Sequence, residues 1–450
     1  MSLAARLAVL TRHLAARLSR QAPFDRAAGL LAAGRPVEAM ARFGRLAKSG
    51  DMRAQFHLAR AYLDGNGVPR QRDEGARWMR RAAEAGWPEA RFALATLYLR
   101  GLPPQDDAPA RLWPPRPDMR HPPDHHKALH WARLAAEAGL ADAQALVAHV
   151  LTEGPEDLRD PDAALAWYRR AAEGGSAQGH LGLGLALLRA AGGADARAEA
   201  RQALQRAADK GLGSAFHVLG MMSERGEDRA PDPAGAAELF RRAAEKDVPA
   251  AQLRYGLACL NGHGVARDVV RAETWLRRAA MAGEREAAAL LGDLNVGRNG
   301  AAPNLVEAVA WYRRAAEAGH PGAACALGQL FQAGGGMACD DIEAARWLGR
   351  AADQGHAPAM FALGMLHDRR GDMPDTRLQA QAWFHRAATR GHAPAQVMLG
   401  RYLAHGLAGT ADRPAARDWL RKAQRQGEAR AATELARLDQ LERGHADARA

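Results

Sequence analysis

The densest group of metal-ligating side chains in the 450-residue chain is His121, Asp124, His125, His126 and His130. Neutral imidazoles suit zinc or nickel, and an ion held there would give a hydrolase or another metal-dependent activity. The group borders a proline-rich stretch and has no second pair of ligands to close a tetrahedron. No resident metal or cofactor is therefore expected; His121, His125 and His126 are the residues that would bind one. Gly-x-Gly segments such as Gly262-His263-Gly264 have the composition of a phosphate cradle. None follows a strand or runs into Lys-Ser/Thr, so they are read as tight turns. Gly174-Gly175-Ser176 likewise lacks the strand-to-helix setting of a nucleophile elbow. The three cysteines, Cys259, Cys325 and Cys339, are too few and too irregular for a disulfide framework or a paired-thiolate metal site, which fits a reducing cytoplasm. No catalytic residue is expected.

Charge points to partners instead of chemistry. With 62 Lys and Arg against 51 Asp and Glu, the formal charge is +11, which steers acidic molecules toward the surface. Arginines come in pairs at Arg169-Arg170, Arg241-Arg242, Arg277-Arg278 and Arg313-Arg314. Glu173, Glu245 and Glu317 stand one helical turn beyond Arg169, Arg241 and Arg313, so local ion pairing is expected to absorb much of this charge. Aromatic residues are not interleaved with the arginines as a base-stacking platform requires, and no nucleic acid is expected as partner. No apolar run approaches the ~20 residues of a membrane-spanning helix. Arg6, Arg12, His13 and Arg17 interrupt the apolar stretches at the N-terminus, so a secretory signal is not expected. Leu3, Leu7, Leu10, Leu14 and Leu18 define one face of a cationic helix. Residues 1–20 are expected to cover the first hairpin or to lie on an anionic membrane surface.

The elements that carry these residues repeat. Trp131, Trp167, Trp275, Trp311, Trp347, Trp383 and Trp419 are separated by 36 residues or a multiple of it, and Gly184, Gly220, Gly256, Gly292, Gly328, Gly364 and Gly400 keep the same period. The two columns in phase give ten copies of one unit. Each unit reads as two amphipathic helices: a first helix with a stripe such as Ala395, Leu399 and Leu403, a glycine turn, then a second helix such as WYRRAAEAG from Trp311 to Gly319. The closing glycine suits a left-handed C-cap. The Trp ring is expected to fill the wedge between successive hairpins. Trp78 and Trp131 stand 53 positions apart, 17 beyond the period. The surplus, with its many prolines, is expected as an extended surface loop at 102–126.

The pattern A-x-x-x-L-G-x-x-Y-x-x-G-x-G-V followed by A-x-x-W-Y-x-x-A-A-E-x-G resembles the Sel-one-like repeat (SLR) family, relatives of the tetratricopeptide repeats. Residues 248–283 carry it through Ala251, Tyr255-Gly256, Gly262-His263-Gly264-Val265, Ala272, Trp275, Ala279, Ala280 and Gly283. The resemblance implies an all-α fold, a right-handed α-α superhelix or solenoid of hairpins. It departs at residues 176–247, where the Trp column is lost, and at Asn295 and Arg298, where less regular packing is expected. Disulfide-stapled secreted members have cysteine pairs that this chain lacks. The expected organisation is a helix and capping hairpin at 1–50, ten repeats at 51–427, and a capping helix and tail at 428–450.

In tetratricopeptide-like solenoids the face of the first helix turned away from the second lines a concave groove. Here that face carries Leu181, Leu185, His217, Met221, Leu253, Leu257, Phe361, Met365 and Val397. The alternative is burial of these residues against the neighbouring first helix. The resulting expectation is a monomeric, bacterial-type cytoplasmic adaptor, non-catalytic, that binds a peptide or helix of a partner protein. The alternatives are an activity centred on the histidine loop and an adaptor recruited to a membrane surface.

Overall fold

Most of the second helices of the hairpins, the B helices, start where an Asp or Asn precedes an alanine-rich run. In the computed structural model the side-chain oxygens of Asp124, Asp160, Asp232, Asp268, Asn304, Asp340 and Asp412 accept a backbone N–H from the first turn of the helix that follows. Each such cap contributes about 1 kcal/mol. The structure describes residues 22–101, 122–190, 193–227, 229–298, 302–334, 339–369 and 374–447, and among them every regular element is helical.

The chain divides into two units, Met1–Pro231 and Asp232–Ala450. The first holds a helix over 22–32 and the helix Pro36–Lys48, then four hairpins. These pair an A helix with a B helix: Met52–Asp64 with Arg72–Glu84, Pro88–Leu99 with His125–Glu137, Ala141–Glu153 with Pro161–Glu173, and Ala177–Arg189 with Ala194–Asp209. Gly213–Arg225 ends the unit. The second unit opens on Pro233–Glu245 and holds five hairpins: Pro249–Asn261 with Val269–Met281, Arg285–Asp293 with Leu305–Glu317, Pro321–Ala333 with Asp341–Asp353, Ala357–Arg369 with Pro374–Thr389, and Ala393–His405 with Arg413–Arg425. Ala429–Asp447 closes it.

The glycine column is where the two helices of a hairpin meet. A Cβ on Gly256 would stand 2.9 Å from Cγ of Leu276, and on Gly328 or Gly400 it would stand 2.7 Å from Cγ of Leu348 or Leu420. The side chain seated on each glycine lies twenty residues further on, directly after the Trp position, and is fully buried in all three hairpins. The Trp rings pack against the core beside this side chain, and Trp311 and Trp419 also meet the preceding hairpin through Arg277 and His385. Most of these rings are half-buried, with a cation stacked on the outer face: Arg278 over Trp275 at 4.6 Å, Arg386 over Trp383 at 4.3 Å, Lys422 over Trp419 at 4.0 Å. The residue beside the Trp fills the interior, and the Trp roofs it beneath a cation.

Successive hairpins are joined by small, repeated bonds. The amides of Gln55, Gln252 and Gln396 donate to the carbonyls of Ala47, Ala244 and Ala388 at 3.1, 3.3 and 3.2 Å, eight residues back. These are the carbonyls that the end of the preceding helix leaves without intrahelical partners. The turn glycine Gly264 has φ +75°, and a Cβ there would stand 2.0 Å from the carbonyl oxygen of Pro233, so this turn rests on the start of the preceding B helix. Ion pairs are partly local, as expected, and partly between B helices: Arg277 pairs with Glu273 one turn back at 2.7 Å. Arg241 likewise pairs with Glu245, while Arg169 meets Glu199 at 3.5 Å and Arg277 also meets Glu307, both in the following B helix.

Within each unit, consecutive A helices touch: Ala141–Glu153 against Ala177–Arg189, Arg285–Asp293 against Pro321–Ala333, and Pro321–Ala333 against Ala357–Arg369. We call the A helices of a unit together its A layer, with these pairs side by side in it. At the start, Phe24, Phe43 and His57 pack ring to ring, with centroids 5.0 to 5.5 Å apart. At the end, Leu438 of the last helix is buried with Leu420 and Ala423, while Arg417 pairs with Asp439 and Glu442 at 2.7 Å each. This helix runs to Asp447.

Two departures from the repeat differ in outcome. Residues 177–209 still form a regular hairpin without Trp, because Leu204 occupies the seat on Gly184. At Asn295 and Arg298 the A helix instead gives way to a wide turn over Leu294–Arg298, broken by Gly297 at φ +90°. The Asn295 side chain donates back to the carbonyl of Leu291 at 2.8 Å.

Candidate partner-binding surface

The residues expected to line a groove lie on the A layer in pairs one turn apart. Leu181 and Leu185, His217 and Met221, Leu253 and Leu257, and Phe361 and Met365 are all half-buried. Leu253, Phe361 and Met365 rest on the core of the second unit, and the Phe361 ring lies 5.0 Å from that of His392. These side chains have one flank packed and one flank open.

Val397 is a different case. It is only 6% exposed and is packed with Leu420, Ala431 and Leu438, because the closing helix Ala429–Asp447 covers this end of the A layer. Nor do the remaining pairs of the second unit join into one apolar strip. At the equivalent positions between Leu253 and Phe361 stand Ala289 and Cys325, both buried, followed one turn on by Asp293 and Gln329. The carboxylate of Asp293 accepts the Tyr312 hydroxyl at 2.6 Å, and Asp368 holds the hydroxyl of Tyr402 in the same manner. Burial and the adjacent carboxylate raise the Tyr402 hydroxyl above its ordinary range. Burial alone pushes the Cys325 thiol up to about 11, so it stays protonated and unreactive.

Phe56 and Phe92 occupy the same position as Leu253 once the 17-residue surplus is allowed for, and both are half-buried. They escape a search keyed to the glycine column because Ala59 and Ala95 replace the glycine there. An alanine in register, three residues after an aromatic, is the signal that finds them.

The described residues include part of the histidine group. His121 lies outside the described residues. His125 and His126 are not on a loop: Asp124 caps the helix His125–Glu137, accepting the N–H of Lys127 at 2.9 Å, and both histidines fall in its first turn. Nε2 of His126 faces Asp157 at 3.1 Å, and His130 lies 5.4 Å from the Trp131 ring. Among the described residues no three His, Cys, Asp or Glu side chains converge as a metal site would require. No described helix is long and apolar enough to cross a membrane.

Among curated protein sequences, none matches the chain. Among solved structures, the crystal structure of c5321, a protective antigen of uropathogenic Escherichia coli strains displaying an SLR fold, is similar with a TM-score of 0.64 and 28% identity, covering 89% of this chain and 82% of that one. A Sel1 repeat protein from Oxalobacter formigenes aligns at 27% identity over 50% of this chain and 94% of that one, with a TM-score of 0.42. The Sel1 repeat profile matches residues 53–87, 88–113, 118–140, 141–176, 217–248, 249–284, 285–320, 321–356, 357–392 and 393–428. It is interrupted in the second hairpin, where the insertion falls, and it passes over 177–216, where the Trp is missing. With most of its length matched and the same stacked hairpins throughout, the chain belongs to the Sel1 repeat family.

Proposed function

We propose that this protein is a non-catalytic cytoplasmic adaptor that takes up a peptide or helix of a partner protein along its A layer. Sel1 repeat proteins are generally non-catalytic scaffolds for protein–protein interaction. The observation that carries the reading here is the set of half-buried apolar pairs, Leu253 with Leu257 and Phe361 with Met365, each one turn apart on its helix. Such pairs offer shallow apolar pockets on a rigid frame, which is what an amphipathic segment needs for its anchors. The excess positive charge of the chain favours an acidic segment. Cys259, Cys325 and Cys339 are all unpaired thiols, in keeping with a reducing compartment.

The test is affinity capture with the intact protein and with the double variant Leu257→Asp, Met365→Asp, after circular dichroism has shown equal helicity. A partner retained by the first and lost by the second is expected. Equal recovery by both removes the A layer from consideration.

A further inference from the structure

One histidine of the second unit does two jobs at once. The ring of His392 lies 5.0 Å from that of Phe361, with the planes 37° apart, and Phe361 is one of the half-buried apolar anchors of the A layer. His392 is also the N-cap of Ala393–His405, where its Nδ1 accepts the backbone N–H of Ala395 at 3.3 Å. His356 and His320 precede the two A helices before it, but the positions that correspond to Phe361 there are Cys325 and Ala289, both small and buried. Only His392 couples a helix cap to an anchor.

We propose that His392 is an acid-operated latch on the A layer: as the neutral imidazole it holds Phe361 in place for a partner, and on protonation it lets the ring go and the partner with it. This regulation rests on the A-layer reading given above.

The chemistry of the cap gives the latch two states. Only an unprotonated Nδ1 has a lone pair to offer, and Ala395 is fully buried, so water cannot take over its N–H. A proton on Nδ1 sets two donors against each other. The attraction of an imidazolium for the face of Phe361 does not supply the missing acceptor. The imidazole then has to turn out toward solvent, and Phe361 loses one of the rings it packs on. Its contact with Phe384, at 5.9 Å, remains, so the anchor loosens while its helix stays formed.

The surroundings keep the latch shut at neutral pH. Burial and the charge that His356 can carry hold His392 below the ordinary value of 6.5, and Glu428, just before the closing helix, opposes them. Cations of the intervening B helix and its turn are engaged elsewhere, Arg386 over the Trp383 ring and Arg390 on the carbonyl of Arg386 at 3.3 Å. A group depressed in this way takes up its proton only as pH falls through the lowered value. One pH unit below that midpoint about one molecule in eleven is still latched, so a partner that needs Phe361 in place binds about tenfold more weakly.

The test replaces the nine phenylalanines of the full chain by 4-fluorophenylalanine and follows the fluorine spectrum from about pH 7.5 to pH 5, with helicity checked by circular dichroism. The Phe361 signal is the one absent in Phe361→Leu. It is expected to move with a midpoint below 6.5 while helicity holds, and to stay still in His392→Asn, since asparagine caps at any pH. Glu428→Gln should lower the midpoint and His356→Asn should raise it. A signal that does not move, or that moves alike in His392→Asn, overturns the latch, and this measurement needs no partner. A second arm takes the proteins that the immobilised chain retains at pH 7.5 and that Leu257→Asp with Met365→Asp does not. Washing at pH 5.5 should release them from the parent and leave them on His392→Asn; equal release from both overturns the proposal. If no protein is retained in this way, the A-layer reading itself fails and partner release falls with it, whatever Phe361 does.

Discussion

Asp247 closes a repeat where nine others close with glycine, and it is the one non-glycine among the described residues with positive φ, at +56°. The left-handed region costs an L side chain roughly 1 kcal/mol. Its ion pair with Arg278, at 3.0 Å, returns little because both side chains are well exposed. Asp247→Gly is therefore expected to raise the thermal midpoint, and Asp247→Val, whose branched side chain tolerates this region less, to lower it. Differential scanning calorimetry decides between these signs, and a midpoint lowered by the glycine would refute the strain argument. The nine closing glycines are legible in the sequence because their conformation demands the residue type. The seat on the glycine column is not, since Leu276, Tyr312, Leu348 and Phe384 share only size and burial. The Trp beside them has one identity and draws the eye, although the neighbour does the filling.

Three consecutive A helices of the second unit begin at a histidine: His320, His356 and His392. Nδ1 of His320 accepts the N–H of Ala323 at 2.9 Å and Nδ1 of His392 that of Ala395 at 3.3 Å, which only an unprotonated Nδ1 can do. Burial holds His356 and His392 below the ordinary histidine value of 6.5, and the neighbouring histidine of each adds to it, while Glu428 opposes the effect at His392. Burial also lowers His57 and His180. A value depressed on folding means that the unfolded chain binds the proton first. This contribution to stability is complete above pH 6.5 and is lost as pH falls from there through the depressed folded values. Melting temperatures are thus expected to fall between pH 7 and pH 5, and less so for His356→Asn with His392→Asn, since asparagine caps at either pH. Parallel curves for the variant and the parent would remove the histidines as the cause. Helix existence and boundaries follow from caps and apolar period, and so were readable from the sequence. The wide turn at Leu294–Arg298 was readable only as a loss of pattern, because its geometry depends on how Asn295 turns back to its own helix.

For each unit as a whole, ends matter as much as repeats. Val397 was expected on an open face because its sequence position is that of Leu253 and Phe361. What differs is the neighbour: Leu438 comes from a helix outside the repeat pattern, so no periodicity reveals it. A chain ending at Gly427 loses that helix and uncovers Val397, Leu420 and Ala423. Hydrogen exchange in 393–425 is expected to accelerate by orders of magnitude, with little change in 249–281, since solenoid stability is carried by nearest neighbours. Uniform acceleration along the unit would show cooperativity of longer range.

The seating of Leu276 on Gly256 and the tie from Gln252 back to Ala244 span twenty and eight residues. Bonds this local ask nothing of distant sequence. A duplicated or deleted block of 36 residues, cut at the closing glycines, leaves every such tie intact, so the number of hairpins is free to drift by recombination while the join between any two stays the same.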